Sequence, residues 1–145
     1  MAQIRDDLES RLATDFDDTD EGRSWFTDLM KAAGEDNSAR MMAAALRDRG
    51  VAAKYVNPCE AGLLLSDEAG NAQVLREAYD NLASLADGEE VVVFPGFFGC
   101  TPAGKVVTFP RGGSDITGSI LARAIGADLY ENFTDVNQVR AVDPD

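Results

Sequence analysis

Apolar residues in the first fifty positions recur at the spacing of α-helices. Ile4, Leu8 and Leu12 lie four residues apart in an otherwise charged stretch, which predicts a first helix. The acidic run DFDDTDEG that follows is typical of a solvated loop. Two further helices are predicted on either side of GED, residues 34–36, and Gly50 is expected to end the second one in a left-handed conformation. Their apolar positions are Trp25, Phe26, Leu29, Met30 and Ala33 before GED, and Ala39, Met42, Ala43 and Leu46 after it.

The next part of the chain changes to a pattern of strand, apolar run and helix. VAAKYV, residues 51–56, alternates like a short strand, and GLLL, residues 62–65, is a second apolar run. Helical spacing returns over residues 74–85, and this helix is expected to end near Gly88.

Two kinds of β-structure are predicted after that helix. EVVVF, residues 90–94, is a continuous β-branched run, so we expect Val91 to Val93 to form a central strand buried on both faces of a parallel sheet. GFFGC and KVVTF are separated by the turn signal TPAGK, residues 101–105, which predicts a hairpin above that sheet.

The pattern ends with one more helix and one more strand. TGSILARAIG is predicted to be a helix that Gly126 terminates, and ADLYENF, residues 127–133, a last strand. Strands alternating with helices predict an α/β fold with a mainly parallel sheet between helices. Ligands in such folds bind beyond the carboxyl ends of the strands, which directs attention to the loops after Phe94 and Phe133.

The composition restricts the chemistry and the partners. The 145 residues, 45% of them hydrophobic, suit one domain with a core. Thirteen basic and 26 acidic residues give a net charge of −13, which disfavours nucleic acids and anionic membranes as partners. An anionic substrate would therefore need a few local positive elements. The absence of histidine excludes catalysis by Ser-His-Asp or Cys-His groups and zinc sites with histidine ligands.

The sequence also predicts a compartment and a state for the thiols. The start, MAQIRDDLESR, is acidic where a signal peptide needs an apolar stretch, and no apolar run approaches the roughly 20 residues of a membrane span. We therefore expect a cytoplasmic protein. Cys59 and Cys100 lie far apart without a CxxC pattern, so we expect free thiols rather than a disulfide or a metal site.

RGGSDITGS, residues 111–119, is the most informative stretch for chemistry. Two glycines allow a tight turn, and Ser114 or Asp115 stands at a helix start, where exposed N–H groups favour an anion. Arg111 adds a planar fork suited to a carboxylate or phosphate. The alternative is that the glycines serve only strand–helix packing and that Asp115 is only a favourable charge at the helix start.

Each of the other candidate residues has two possible interpretations. Glu35 follows a glycine and opens a predicted helix, where an acidic side chain is favourable without any further role. Thr134 and Asp135, at a predicted strand end, suit either a ribose or an Asx turn. Phe97 and Phe98 could wall a pocket or fill the core.

Five stretches in order resemble the central part of aspartate kinases, which belong to the amino-acid kinase family. The resemblance runs from residue 34 to residue 144. The stretches are GEDNSAR, YVNPCEAGL, FPGFFGCTPAGKVVTF, RGGSDITGSILA and ADLYENFTDV. Five ordered stretches at suitable spacing are far more specific than any one motif. The resemblance implies a three-layer fold and transfer of the γ-phosphoryl group of ATP to the side-chain carboxylate of L-aspartate, the first step towards lysine, threonine and methionine.

The resemblance assigns roles to individual residues. It implies that Arg111 holds the α-carboxylate of the substrate and that Asp115 is catalytic. Glu35 and Ser114 match polar residues of the substrate pocket, and Phe97 matches the phenylalanine that lines it.

The resemblance also implies the nucleotide and its metal. Thr134 and Asp135 match the start of the nucleotide-binding segment, with ATP as cosubstrate. Mg²⁺ is expected at the nucleotide, and no residue of this chain is assigned as its ligand. The complete protein is expected to be a homo-oligomer.

The chain departs from the family pattern at both ends. None of its three lysines lies in the Lys-Phe-Gly-Gly-Ser phosphate loop that opens aspartate kinases, and the chain ends just inside the nucleotide-binding region. We therefore expect residues 1–145 to be a single, incomplete kinase domain without the phosphate-loop strand or the regulatory ACT domains, inactive in isolation. The alternatives are another member of the family, such as a glutamate, acetylglutamate or uridylate kinase, and a non-catalytic fragment that binds a metabolite or a partner.

Overall fold

The computed structural model describes the backbone of residues 2–133 and the side chains of residues 4–133. It begins with two helices, α1 (Ala2–Leu12) and α2 (Asp20–Asp48). The Thr19 hydroxyl caps α2 by accepting a hydrogen bond from the N–H of Gly22 at 3.1 Å. Arg11 joins the helices, since its guanidinium lies 2.6 Å from the buried carboxylate of Asp36. The first two helices thus pack through a buried ion pair.

The prediction of two helices separated at GED is wrong, because α2 runs through these residues without a break. Gly34 lies inside the helix, where it costs about 1 kcal/mol relative to alanine. Burial of one face of α2 against the strands outweighs that cost. Gly50, just after the helix, has the predicted positive φ, at 81°.

Two short strands lie where the sequence predicted them, and they pair in parallel. β1 (Ala53–Tyr55) and β2 (Val91–Val93) are in register from Ala53 opposite Val91 to Tyr55 opposite Val93. The chain passes between them through α3 (Glu77–Leu82) and a single 3₁₀ segment, Ala83–Asp87. The parallel pair and its helical connection confirm the α/β class.

The prediction of a central, fully buried β2 is wrong. Val91 is 49% exposed, and within residues 2–133 β2 pairs only with β1. A strand needs neighbours on both edges and cover on both faces to be buried, whereas this sheet has two strands and α2 beside it. Within the described residues the valine run therefore forms a strand that is only partly buried.

The predicted hairpin is confirmed as a separate antiparallel sheet. β3 (Phe98–Cys100) pairs with β4 (Val106–Thr108), with Gly99 opposite Val107. The GLLL run lies along β3, because the N–H of Leu65 donates to the carbonyl of Cys100 at 2.9 Å. The main core lies where this sheet meets α3 and the last helix. Its largest buried side chains are Leu63, Leu65, Leu82, Val107, Phe109 and Ile120.

The last helix, α4 (Gly113–Ile125), has left-handed residues at both ends, Gly112 (φ 83°) and Gly126 (φ 64°). Gly126 thus ends it as predicted. The predicted strand over residues 127–133 is wrong, since no strand among the described residues lies beside it to satisfy its backbone groups. Instead, the Asn132 amide returns to α4 and donates to Asp115 Oδ1 at 3.1 Å.

The expectation of free thiols is also wrong, because Cys59 and Cys100 form a disulfide. Their Cα atoms lie 5.1 Å apart although 41 residues separate them in sequence. The turn after β1 returns the chain to the edge of β3, and separation in sequence gives no information on this approach. As for membranes, no helix in the described part of the chain is both long and apolar enough to cross one.

Candidate functional site

A cleft of about 360 Å³ lies between α2 and the loop that joins β4 to α4. Four residues singled out from the sequence line it: Phe97, Arg111, Ser114 and Asp115. The rest of its lining comes from α2, from Gly70, and from the end of β4 with the loop after it. These residues are Lys31, Gly70, Thr108, Phe109, Pro110, Gly112 and Gly113. Residues distant in sequence therefore share one depression.

The two glycines of the loop have different reasons to be glycine. A Cβ on Gly113 would lie 2.7 Å from Phe97 Cβ and 2.8 Å from Phe109 Cβ, so Gly113 is required for close packing of α4. Gly112 faces open space, but its φ of 83° is a conformation that side chains disfavour. Packing thus explains one glycine, and the turn that leads Arg111 into α4 explains the other.

Arg111 is the exposed cation of this loop. No carboxylate among the described residues lies within 4.0 Å of its guanidinium. The first turn of α4 follows it directly and adds free N–H groups and the positive end of the helix dipole. An anion in the cleft would meet both.

Phe97 has a strained backbone, and its side chain lies in the cleft. Its φ of 54° makes it the one residue other than glycine with positive φ in the described part of the chain. The Thr117 hydroxyl holds this conformation by accepting from the Phe97 N–H at 3.0 Å while donating to the Gly113 carbonyl at 2.9 Å. Such strain concentrates at functional sites. Phe98, by contrast, is 1% exposed and belongs to the core.

Glu35 approaches the same region from α2. Its Oε1 accepts from the N–H of Gly96 at 3.4 Å, and Gly96 directly precedes Phe97. A Cβ on Gly96 would meet Ser114 Oγ at 2.7 Å, so Glu35 stands behind the wall that Phe97 and Ser114 form. The interpretation of Glu35 as a favourable charge at a helix start is wrong, because it lies in the middle of α2.

Asp115 and Ser114 occupy the exposed first turn of α4. The carboxylate of Asp115 accepts from the Asn132 amide, and its carbonyl accepts from the Tyr130 hydroxyl at 3.5 Å. These contacts connect the cleft with the segment that leads to Thr134 and Asp135, which lie outside the described residues.

Sequence reasoning missed two residues of α2, Lys31 in the lining of this cleft and Asp28 behind it. Asp28 is 1% exposed, and its Oδ2 accepts the N–H groups of Gly70 at 2.7 Å and Thr108 at 2.9 Å. Lys31 places its Nζ 3.9 Å from the other carboxylate oxygen of Asp28. The available signal was the spacing of 28, 31 and 35, which puts Asp28, Lys31 and Glu35 on one helix face.

Two other depressions are larger but chemically less suited to an anion. One of about 410 Å³ has four carboxylates and a single ammonium, those of Asp15, Asp17, Glu21, Asp67 and Lys105. The other, of about 480 Å³, lies between α1, α2 and β1. Its two guanidinium groups already have partners, Asp36 for Arg40 and the Ala53 carbonyl for Arg47. The smaller cleft combines an exposed arginine, which has no carboxylate partner among the described residues, with the first turn of α4.

Comparisons with known proteins agree with the sequence resemblance. Aspartokinase 3 of Bacillus subtilis (strain 168) is 52% identical over 144 residues, which are 99% of this chain and 31% of that protein. Aspartokinase 1 of the same organism is 35% identical over 117 residues, or 81% of this chain and 29% of that protein. The chain thus spans less than a third of the length of these curated relatives.

Solved structures give the same result. The crystal structure of E. coli aspartokinase III in complex with aspartate and ADP matches with a TM-score of 0.71 and 29% identity, over 87% of this chain and 29% of that one. Clostridium acetobutylicum aspartate kinase matches with a TM-score of 0.58 and 25% identity, over 95% of this chain and 32% of that one. The sequence profile of the amino acid kinase family matches residues 1–145, and the chain therefore belongs to the amino acid kinase family.

Proposed function

We propose that the protein to which this chain belongs is an aspartate kinase, which transfers the γ-phosphoryl group of ATP to the side-chain carboxylate of L-aspartate. The observation that carries this proposal is the cleft itself, where Phe97, Arg111, Ser114 and Asp115 come together in a chain 52% identical to an aspartokinase. A relative crystallised with aspartate and ADP supports the two ligands. Cytoplasmic location, homo-oligomerisation and a role in lysine, threonine and methionine synthesis are parts of the same proposal.

In the proposed site Arg111 forms a bidentate contact with the α-carboxylate, which its planar fork suits. Glu35 and Ser114 provide polar contacts, and Phe97 closes the apolar side of the pocket. Asp115 is proposed to be the catalytic residue that organises the reacting end. The attacking carboxylate is ionised at neutral pH, so the reaction needs no histidine base and depends on positioning and charge.

Thr134 and Asp135 are proposed to bind the nucleotide, with Mg²⁺ accompanying its phosphates. The described residues contain no group of three or more histidine, cysteine, aspartate or glutamate side chains that could hold a metal. Mg²⁺ usually binds through substrate phosphates and one or two carboxylates, so we assign it no step within this part of the chain.

The proposal is tested by the binding of L-aspartate to the 145-residue chain, measured by NMR titration. Arg111→Ala should weaken binding on the order of 10- to 100-fold, the value of a charge-assisted bidentate contact. Arg111→Lys should recover only part of it. Arg76→Ala removes an exposed arginine of the α3 region and should leave binding unchanged, because Arg76 lies outside the cleft.

Turnover is tested in a chimaera in which this chain replaces the matching segment of aspartokinase 3 of Bacillus subtilis. There Arg111→Ala should raise the KM for L-aspartate far more than the KM for ATP, and Asp115→Asn should lower kcat. The isolated chain should show no phosphoryl transfer. Preference of the chimaera for glutamate, acetylglutamate or uridylate, or equal effects on both KM values, would contradict the proposal.

A further inference from the structure

One face of α2 runs along the cleft and carries Asp28, Lys31 and Glu35, at spacings of three and four residues. Two of these side chains are bonded to backbone. Asp28 accepts from Gly70 and Thr108, and Glu35 accepts from Gly96. Lys31 differs from these two residues, because its side chain lines the cleft and is 58% exposed. Its charge therefore faces the cleft rather than a backbone group.

The surroundings of Lys31 leave its ammonium able to bind a ligand. Nζ lies 3.9 Å from Asp28 Oδ1, beyond hydrogen-bond distance, and the other oxygen of Asp28 already accepts two backbone N–H groups. The ammonium therefore lies on the α2 side of the cleft and keeps its capacity to donate to a ligand.

The cleft differs in sign from the rest of the molecule. Its ionisable lining is Lys31, Arg111 and Asp115, two cations and one anion, in a chain with a net charge of −13. Lys31 lies on α2 and Arg111 on the β4–α4 loop, so the two positive charges come from different walls. This arrangement fits a ligand with two anionic groups and one cationic group, which is the charge pattern of an acidic amino acid.

We propose that Lys31 contacts the side-chain carboxylate of the substrate while Arg111 holds the α-carboxylate, so that the pair selects a dicarboxylic amino acid. This inference rests on the proposed function and adds a specificity-determining residue to its site.

NMR titration of the chain with L-aspartate and with L-asparagine, whose side chain is uncharged and of similar shape, tests this role. Lys31→Met should raise the Kd for L-aspartate about tenfold, the effect of losing one charge-assisted contact at a partly solvated site. The Kd for L-asparagine should stay unchanged, so the preference for aspartate falls. Lys31→Arg should retain most of the preference for aspartate, because the positive charge is kept.

Lys105→Met is the matched control. It removes the same charge from a lysine that is 44% exposed, pairs with Asp67 and lies in the acidic depression, so it reports the effect of net charge alone. Equal effects of Lys31→Met and Lys105→Met, with Arg111→Ala still weakening aspartate binding, would overturn the role of Lys31 and leave the proposed function standing. Equal losses for aspartate and asparagine would also overturn it. If the unaltered chain binds no L-aspartate, the assignment of this cleft as the aspartate site is wrong, and the role of Lys31 with it.

Discussion

Asp28 is a buried carboxylate that joins three parts of the chain. It belongs to α2 but accepts hydrogen bonds from Gly70, 42 residues away, and from Thr108, 80 residues away. Both of those residues line the cleft. A buried charge is tolerated only when donors surround it, and here two N–H groups and a nearby ammonium do so.

Asp28→Ala should lower the free energy of unfolding by about 3 kcal/mol, because it leaves two N–H groups without their acceptor and opens a cavity. Urea denaturation measures this change. Asp67→Ala is the control, since Asp67 is exposed and only pairs with Lys105 at 3.6 Å, and it should change stability by less than about 1 kcal/mol. Equal effects of the two substitutions would contradict the structural role of Asp28.

Tyr55 belongs to a second buried network on α2. Its hydroxyl donates to the buried carboxylate of Asp36, which also pairs with Arg11 and, at 3.4 Å, with Arg40. The Arg40 guanidinium stacks over the Tyr55 ring, 4.2 Å from its centroid. Burial first, and then the hydrogen bond to Asp36 and its charge, raise the pKa of Tyr55 well above its ordinary value.

This shift predicts a loss of stability in alkaline solution. The unfolded chain releases the phenolic proton near pH 10 whereas the folded chain retains it, so the contribution is complete below about pH 10 and decreases as the pH rises above it. Thermal unfolding of the unaltered chain between about pH 9 and pH 11 should therefore show a steeper fall in Tm than that of Tyr55→Phe. If Tm falls equally in the unaltered chain and in Tyr55→Phe, the pKa of Tyr55 is the same in the folded and the unfolded chain, and the prediction is wrong.

At the scale of elements, α2 is the main support of the site. Its 29 residues contact α1, β1, β2 and β4, and its inner face carries Asp28 and Glu35. Gly34 is the weak point within it, because glycine lacks a side chain to restrict the unfolded backbone. A Cβ built on Gly34 meets no atom within 4 Å.

Gly34→Ala should therefore stabilise the chain by about 0.5–1 kcal/mol, the difference in helix propensity between the two residues. The change is measured by urea denaturation. Gly99→Ala should have the opposite effect, because the added Cβ would lie 2.5 Å from the Leu63 carbonyl oxygen. It should destabilise the folded chain by roughly 1–3 kcal/mol. A destabilising Gly34→Ala would mean that α2 bends at this position.

At the scale of the whole molecule, the Cys59–Cys100 disulfide crosslinks the turn after β1 to the hairpin. It closes a loop with a sequence separation of 41, for which loop-closure entropy corresponds to roughly 3–4 kcal/mol of stability. Cys59→Ser with Cys100→Ser should lower the free energy of unfolding by about this amount. Reduction of the unaltered chain should give the same result, and an unchanged Tm under reducing conditions would contradict it.

The elements were predictable where a local pattern was enough. The hairpin, the positive φ of Gly50 and Gly126, and the strands at residues 53–55 and 91–93 follow turn chemistry and β-propensity, and all were confirmed. The errors arose where packing decides. Three features were predicted wrongly: the glycine inside α2, the exposure of Val91 and the loop at residues 127–133. Each depends on which other elements pack beside it, and no local pattern carries that information.

For the site, the sequence by itself determined the residue types and their order: RGGSD before a helix, Phe97 after a strand and a glutamate after Gly34. Its resemblance to aspartate kinases agrees with the family to which the chain belongs. Only the tertiary structure decided that α2 brings Asp28, Lys31 and Glu35 to the β4–α4 loop, and that Cys59 meets Cys100. The physical reason is that these contacts join residues 40 to 80 positions apart, and burial and backbone hydrogen bonds, rather than local propensity, select them.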